Sequence, residues 1–145
     1  ITIIADGYHL TRDEVRTFYK TKGDEKTILI SDALDLAGLP PGEYIRGERK
    51  ILLTPNVVKY PAEDVLAGAA SPIKTCVVQM MEFTECSLES AIDMATRNPA
   101  RLMGLGTGEL LPGKRADVIL FELEGEDMEI HETYVAGERV YKKSE

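Results

Sequence analysis

The sequence is poor in cysteine, tryptophan and basic residues, and each shortage excludes a class of protein. Its 145 residues include two cysteines, no tryptophan, and 17 lysines and arginines against 25 aspartates and glutamates, for a formal charge of −8. Nucleic-acid surfaces need clustered basic side chains, so we expect no nucleic-acid partner. No apolar run approaches the roughly 20 residues of a membrane-spanning helix, so we expect no membrane partner. Two cysteines, Cys76 and Cys86, exclude a disulfide scaffold and predict a reducing, cytoplasmic location.

The first part of the chain has the pattern of a strand, a helix and a second strand. The segment Ile1–Leu10 begins with a continuous apolar run, which is typical of a buried strand in a parallel sheet. Thr11 and Glu14 then form the pattern of a capping box, and Gly23 is placed to end the helix. A second apolar run, Thr27–Ser31, follows. These elements predict a βαβ unit and an α/β fold.

The middle of the chain predicts a small hairpin followed by three helices. Two short β-like runs, Lys50–Thr54 and Asn56–Tyr60, predict a hairpin excursion near residues 48–60. A capping residue marks the expected start of each helix: Ser71, Ser87 and Asn98.

The last forty residues are β-like. Asp117–Phe121 predicts one strand, and Ile130–Val135 is expected to pair with Arg139–Lys142 across a tight turn. The acidic stretch Glu122–Glu129 predicts a solvated loop between these strands. The chain therefore divides into an α/β part and a β tail.

Two polar residues follow the two predicted parallel strands. Asp32 stands directly after the second strand, and His9 stands after the first, beyond the flexible Asp6-Gly7 pair. Catalytic groups collect at the carboxyl ends of parallel strands, where Asp32 could serve as a general base or metal ligand. A capping role for Asp32 in the following turn is equally compatible with the spacing. His9 could hold a substrate or ligate a metal, although a lone histidine is more often a packed residue.

Other candidate residues carry weaker signals. The small-residue stretch Leu66–Ser71 could bring backbone N–H groups close to a ligand, or could pack a helix closely against its neighbours. His131 is expected to face solvent in the β tail, and Cys76 to fill the core. The sequence has no zinc-type Cys/His cluster, P-loop, dinucleotide-binding motif or serine elbow.

Taken together, the motifs resemble one family. The segments similar to the last barrel strands of N-acetylglucosamine-6-phosphate deacetylases are Ile4–His9, Ile30–Ala33, Gly38–Tyr44 and Leu66–Gly68. Ala91–Leu105 resembles the helical stretch after that barrel. The segments Gly108–Phe121 and Val135–Tyr141 resemble the closing β portion of amidohydrolases in general.

The resemblance implies a (β/α)8 barrel with a small β-sandwich domain. Residues 1–105 would supply the last two barrel strands with their helices, and residues 106–145 the C-terminal strands of the sandwich. Such a barrel typically needs about 250 residues, so the resemblance implies the C-terminal part of a longer, dimeric enzyme. The segment alone is expected to be inactive.

The resemblance also implies roles for individual residues. Asp32 would be the general acid and base, with a possible secondary contact to a divalent metal, expected to be zinc, whose ligands lie outside this segment. The residues implied to contact the amino-sugar phosphate are Asp6, Gly7, Tyr8 and His9, with His9 as a side-chain donor. The residues implied to line the pocket are Leu66, Ala67 and Gly68.

One departure from the family leaves the substrate open. The family usually has Ser or Thr directly after Leu-Ala-Gly, whereas Ala69 and Ala70 stand before Ser71 in this chain. Two alternatives therefore remain. The chain could belong to another amidohydrolase, of dihydroorotase-like or D-aminoacylase-like type, or it could be a structural or assembly module without activity.

Overall fold

The computed structural model describes residues 1–125 and 127–144 of the chain. The strands are β1 (Thr2–Ile3), β2 (Ile28–Leu29), β3 (Gly42–Arg46), β4 (Arg49–Leu53), β5 (Val57–Tyr60), β6 (Val65–Ala69), β7 (Val118–Glu124), β8 (Asp127–Val135) and β9 (Glu138–Lys142). The helices are α1 (Arg12–Lys22), α2 (Ile73–Thr84), α3 (Leu88–Ala95) and α4 (Arg97–Met103). Within the described residues, no helix has the length and apolarity needed to cross a membrane.

The predicted βαβ unit is present. Strands β1 and β2 pair in parallel, with Thr2 opposite Ile28 and Ile3 opposite Leu29. Helix α1 connects them and has the predicted capping box, because the Thr11 hydroxyl accepts from the Glu14 N–H and the Glu14 carboxylate accepts from the Thr11 N–H. The chain therefore has a mixed α/β fold, as expected.

One hydrophobic core joins this unit to the helices and to the β tail. Its fully buried members include Val15 of α1, Met80 of α2 and Met94 of α3, packed with Ile3 of β1 and Leu29 of β2. Met128 of β8 is 1% exposed and belongs to the same core. Burial of such side chains stabilises the fold by about 1.5–3 kcal/mol each, so the β tail is anchored to the α/β part by apolar packing.

The predicted hairpin is part of a larger sheet. Strands β4 and β5 pair antiparallel, but β3 and β6 flank them in a four-stranded sheet of order β3-β4-β5-β6. A second, smaller core lies under this sheet and contains Leu36, Ile51, Leu53 and Val58. Most of the small-residue stretch Leu66–Ser71 is strand β6, which the sequence did not predict, and the stretch then leads into α2 as expected.

Two of the three predicted helix caps were wrong. Ser87 caps α3 through the Ser90 N–H as expected. The Ser71 hydroxyl instead donates to the Asn56 carbonyl at 3.3 Å, and Pro72 is the N-cap of α2. Asn98 lies inside α4 and is 3% exposed.

The acidic stretch near residue 125 continues the β tail. Strands β7 and β8 run through it with Glu122 opposite Glu129 and Leu123 opposite Met128, so the predicted loop was wrong. The pairing of β8 with β9 was predicted correctly. Glu126, which belongs to the acidic stretch, and Glu145 lie outside the described residues. Lys74 of α2 donates to the Met128 carbonyl at 2.9 Å, which ties the hairpin to the helix layer.

The buried Asn98 amide provides a test of this packing. Its Nδ2 donates to the carbonyls of Asp24 and Thr27, at 2.7 and 2.8 Å, and so holds α4 against the segment that enters β2. We expect Asn98→Ala to lower the free energy of unfolding by about 2 kcal/mol, because two hydrogen bonds to backbone carbonyls are lost. Asn56→Ala, at an exposed asparagine, is the matched control and should cost less than about 0.5 kcal/mol. Equal losses in urea unfolding would contradict the anchoring role.

Candidate active site

The candidate site lies at the carboxyl ends of β1 and β2. Because these strands are parallel, the segments that follow them leave the sheet at the same edge. Asp6 and His9 follow β1, and Asp32 follows β2. The fold therefore brings together the two strand ends at which the sequence predicted catalytic and substrate-binding residues.

Asp6 and His9 form a closed hydrogen-bonded unit. The Asp6 side chain is fully buried, and its Oδ1 accepts from the backbone N–H groups of Tyr8 and His9, both at 2.9 Å. Its Oδ2 lies 2.9 Å from Nδ1 of His9, whose side chain is 15% exposed. The turn depends on Gly7, which adopts a φ of +80° that other residues rarely take. Asp6 is thus engaged by its own loop, while the imidazole reaches the surface.

Asp32 occupies a different environment at the end of β2. Its backbone has a φ of +52°, in the left-handed region that is unfavourable for a residue with a Cβ. Its side chain is exposed and makes no hydrogen bond or ion pair within the described part of the chain. A free carboxylate at a strand end, on strained backbone, is typical of a group that acts on a ligand.

Strand β6 holds the strained Asp32 backbone in place. The Ala69 N–H donates to the Asp32 carbonyl at 3.0 Å, and Ala69 forms a parallel bridge with Ala33. Gly68 has a φ of +145°, and a Cβ there would lie 2.9 Å from Cγ of Leu34 and 3.1 Å from the Asp32 carbonyl oxygen. Gly68 therefore packs closely on the Asp32 segment, as part of a strand rather than of the helix packing that was one of the two alternatives.

The other two predicted pocket residues lie farther along β6. Leu66 is 39% exposed and pairs with Lys59 of β5, and Ala67 packs against the small core under the four-stranded sheet. Gly68 is thus the member of the three that contacts the Asp32 segment.

A cavity of about 400 Å³ opens beside the Asp6–His9 turn. Its lining includes Gly7 and the half-exposed Tyr8 from this turn, together with Asn56, Ser71 and Gln79. Sequence reasoning missed Asn56 and Gln79 as site residues, and it considered Ser71 as a helix cap and as the last residue of the small-residue stretch. These residues come from the β4–β5 loop, the β6–α2 loop and helix α2, so no local pattern could have grouped them.

The described residues do not form a metal site. Within residues 1–125 and 127–144, no three His, Cys, Asp or Glu side chains are arranged to hold a metal ion. Both oxygens of the Asp6 carboxylate are engaged in hydrogen bonds within its own loop. Burial raises the pKa of the Cys76 thiol to about 11, with a smaller contribution from the Asp6 charge. His131 lies on the β tail, with Nε2 3.5 Å from Glu122. A catalytic metal would therefore need ligands beyond these residues.

The chain belongs to the amidohydrolase family, whose sequence pattern it matches over residues 2–140. Within that family it is similar to the C-terminal portion of sugar-phosphate deacetylases. It is 29% identical over 145 residues to N-acetylglucosamine-6-phosphate deacetylase of Bos taurus, covering 99% of this chain and 34% of that protein. N-acetylgalactosamine-6-phosphate deacetylase of Escherichia coli O157:H7 is 33% identical over 124 residues, covering 84% of this chain and 32% of that protein.

A solved structure gives the same result for the fold. The crystal structure of N-acetylglucosamine-6-phosphate deacetylase from Thermotoga maritima superposes with a TM-score of 0.87 at 29% identity, covering 98% of this chain and 38% of that one. The chain thus spans about a third of the length of the curated relatives it matches.

Substitution of Gly68 tests the packing of β6 on the Asp32 segment. We expect Gly68→Ala to lower the free energy of unfolding by about 3 kcal/mol, from backbone strain plus the clash with Leu34. Gly38→Ala is the matched control, because Gly38 also has a positive φ, +87°, but has nothing within 4 Å of an added Cβ. The control should lose only the strain component, about 1 kcal/mol. Equal losses for both variants would show that the close contact has no energetic weight.

Proposed function

We propose that this chain is the C-terminal third of an enzyme that hydrolyses the acetamide of an N-acetylated amino-sugar 6-phosphate. The observation that carries the proposal is Asp32, a free carboxylate on strained backbone at the end of a buried parallel strand. It stands in a chain that is similar to sugar-phosphate deacetylases along nearly its whole length.

In this proposal β1 and β2 are the last two strands of a (β/α)8 barrel. Ile3, Ile28 and Leu29 are buried, as the strands of an all-parallel barrel require. The three-stranded sheet of β7, β8 and β9 would belong to a small β-sandwich domain. The remaining barrel strands, and the ligands of the expected zinc ion, would come from residues other than those described.

Asp32 is proposed to carry the proton through the reaction. Its carboxylate accepts a proton from the water that attacks the acetamide carbonyl carbon. The same proton then passes to the amide nitrogen as the C–N bond breaks, so that the products are acetate and the free amine. One group can serve as base and then as acid because the step returns it to its starting protonation state.

The turn after β1 is proposed to bind the sugar. His9 reaches the surface at the same edge of the sheet as Asp32, and Gly7 and Tyr8 line the neighbouring cavity. Hydroxyl groups of a sugar need hydrogen-bond partners at fixed positions, which a buried, internally bonded turn can supply.

Replacement of Asp32 tests the proposed chemistry in the full-length protein. We expect Asp32→Asn to lower kcat by about 10²–10⁴-fold in a deacetylation assay, because the amide cannot accept the proton. Asp35→Asn is the control, since Asp35 is an exposed aspartate three residues away, paired with Arg46 at 3.2 Å. An unchanged kcat for Asp32→Asn would contradict the proposal, and a protein inactive on every amide would favour an assembly module.

N-acetylgalactosamine 6-phosphate is a second candidate substrate. The N-acetylgalactosamine-6-phosphate deacetylase of Escherichia coli O157:H7 is 33% identical to this chain, whereas the N-acetylglucosamine-6-phosphate deacetylase of Bos taurus is 29% identical. The Ala69-Ala70 departure after Gly68 lies beside the Asp32 segment, since the Ala69 N–H donates to the Asp32 carbonyl. Initial rates on the two sugar phosphates and on the unphosphorylated sugars distinguish the two deacetylases. Initial rates on dihydroorotate and N-acyl-D-amino acids test the dihydroorotase-like and D-aminoacylase-like alternatives.

The isolated chain provides a separate test. We expect the 145-residue protein to bind no stoichiometric zinc and to show no deacetylation, because its described residues lack a metal site. Zinc content by mass spectrometry and an acetate-release assay check this, with the full-length protein as control. Turnover by the isolated chain would contradict it.

Size-exclusion chromatography and cell fractionation of the full-length protein test the proposed dimer and cytoplasmic location.

A further inference from the structure

The hydrogen bonds of Asp6 constrain the imidazole of His9. Oδ1 of Asp6 accepts from two backbone N–H groups, those of Tyr8 and His9. Oδ2 is left for a single partner, Nδ1 of His9 at 2.9 Å. The Asp6 side chain has no exposed surface, so solvent does not compete for these positions.

An ionised carboxylate only accepts hydrogen bonds. Two backbone N–H groups donate to one oxygen of Asp6, and the negative charge of Asp6 contributes to the raised pKa of the buried Cys76 thiol. Nδ1 of His9 must therefore carry a proton. In the neutral ring the other nitrogen, Nε2, then has a lone pair and accepts.

We propose that Asp6 is a positioning residue, which holds neutral His9 in the tautomer protonated on Nδ1 so that Nε2 accepts a hydrogen bond from a sugar hydroxyl. Within the described residues, Nε2 makes no hydrogen bond. The sugar contact rests on the proposed function, whereas the tautomer does not. The role differs from the donor role that the family resemblance implies for His9.

The exchange of Asp6 for asparagine gives a directional test. Both backbone N–H groups need an acceptor, so the Asn carbonyl oxygen takes the place of Oδ1. The Asn NH2 group then faces Nδ1 of His9 as a donor, and Nδ1 must become the acceptor. We therefore expect Asp6→Asn to move the ring proton from Nδ1 to Nε2.

Nitrogen-15 NMR of the histidine rings in the 145-residue chain reads the tautomer directly. At about pH 8, where an ordinary imidazole is neutral, we expect a protonated, pyrrole-type Nδ1 and a pyridine-type Nε2 for His9. The chain has two histidines, and His131→Gln identifies the signals of His9. A pyridine-type Nδ1 in the unsubstituted chain, or two protonated nitrogens, would overturn the proposal without any Asp6 variant. An unchanged tautomer in folded Asp6→Asn would overturn the role of Asp6.

Kinetics of the full-length protein test the consequence for the substrate. We expect Asp6→Asn to lower kcat/KM on the preferred sugar 6-phosphate by about tenfold, mainly through KM, because the reversed tautomer presents a donor where the hydroxyl had donated, so the hydroxyl has to turn and accept instead. In a His9→Ala background, Asp6→Asn should cost no further activity, whereas a structural role would persist there.

The outcomes separate this proposal from the proposed function. Failure of the full-length protein to deacetylate either sugar phosphate would overturn the proposed function and the sugar contact, but not the tautomer measured by NMR. Deacetylation that Asp6→Asn leaves unchanged would overturn the sugar contact alone. If Asp6→Asn lowers kcat/KM by the same factor with and without His9→Ala, Asp6 does not act through His9, and the positioning role would be overturned.

Discussion

The parallel pairing of β1 and β2 is the constraint on which the rest of the structure depends. Two short strands, joined by the capped helix α1, place the ends of both strands at one edge. Strands this short are not stable as an isolated pair, so their pairing depends on packing and on side chains from distant parts of the chain. Asn98 supplies two hydrogen bonds to the segment entering β2, and the buried Met128 brings the β tail into the same core. The site geometry therefore depends on residues about 70 and 100 positions away from β2.

The elements that the sequence predicted best are those whose signals are local. The capping box of α1 lies within four residues, and the Ser87 cap and the β8–β9 turn are equally short-range. Strands β3 and β6 were missed because their pattern is weak: β3 is largely exposed, and β6 ends in small residues whose burial comes from Leu34 and Asp32. Their pairing is decided by neighbours in space rather than by periodicity.

The errors at polar residues have a common physical reason. Asn98 and Ser71 have the chemistry of helix caps, but each finds carbonyl acceptors in another element, Asn98 at Asp24 and Thr27 and Ser71 at Asn56. A cap predicted from sequence competes with tertiary partners that the sequence does not show. The acidic stretch was predicted as a loop because its tertiary contacts do not show in the sequence. Met128 stands between charged neighbours, and its burial in the core with residues of α2 favours strand structure there. The positions of Asp32 and His9 were easier, since strand ends follow directly from two apolar runs.

Two aspartates at neighbouring strand ends have opposite properties, and backbone geometry explains the difference. Asp6 precedes a glycine turn that folds two N–H groups back onto its carboxylate, so its oxygens are occupied. Asp32 has its own backbone in the left-handed conformation, and β6 bonds to its carbonyl rather than to its side chain. A carboxylate with filled acceptor positions can fix a neighbour but cannot move protons, whereas a free carboxylate can accept and release them. Under the proposed function, the same residue type at the same edge would therefore serve orientation in one strand and proton transfer in the other. This division requires that the turn after β1 stays closed while Asp32 stays open to the substrate.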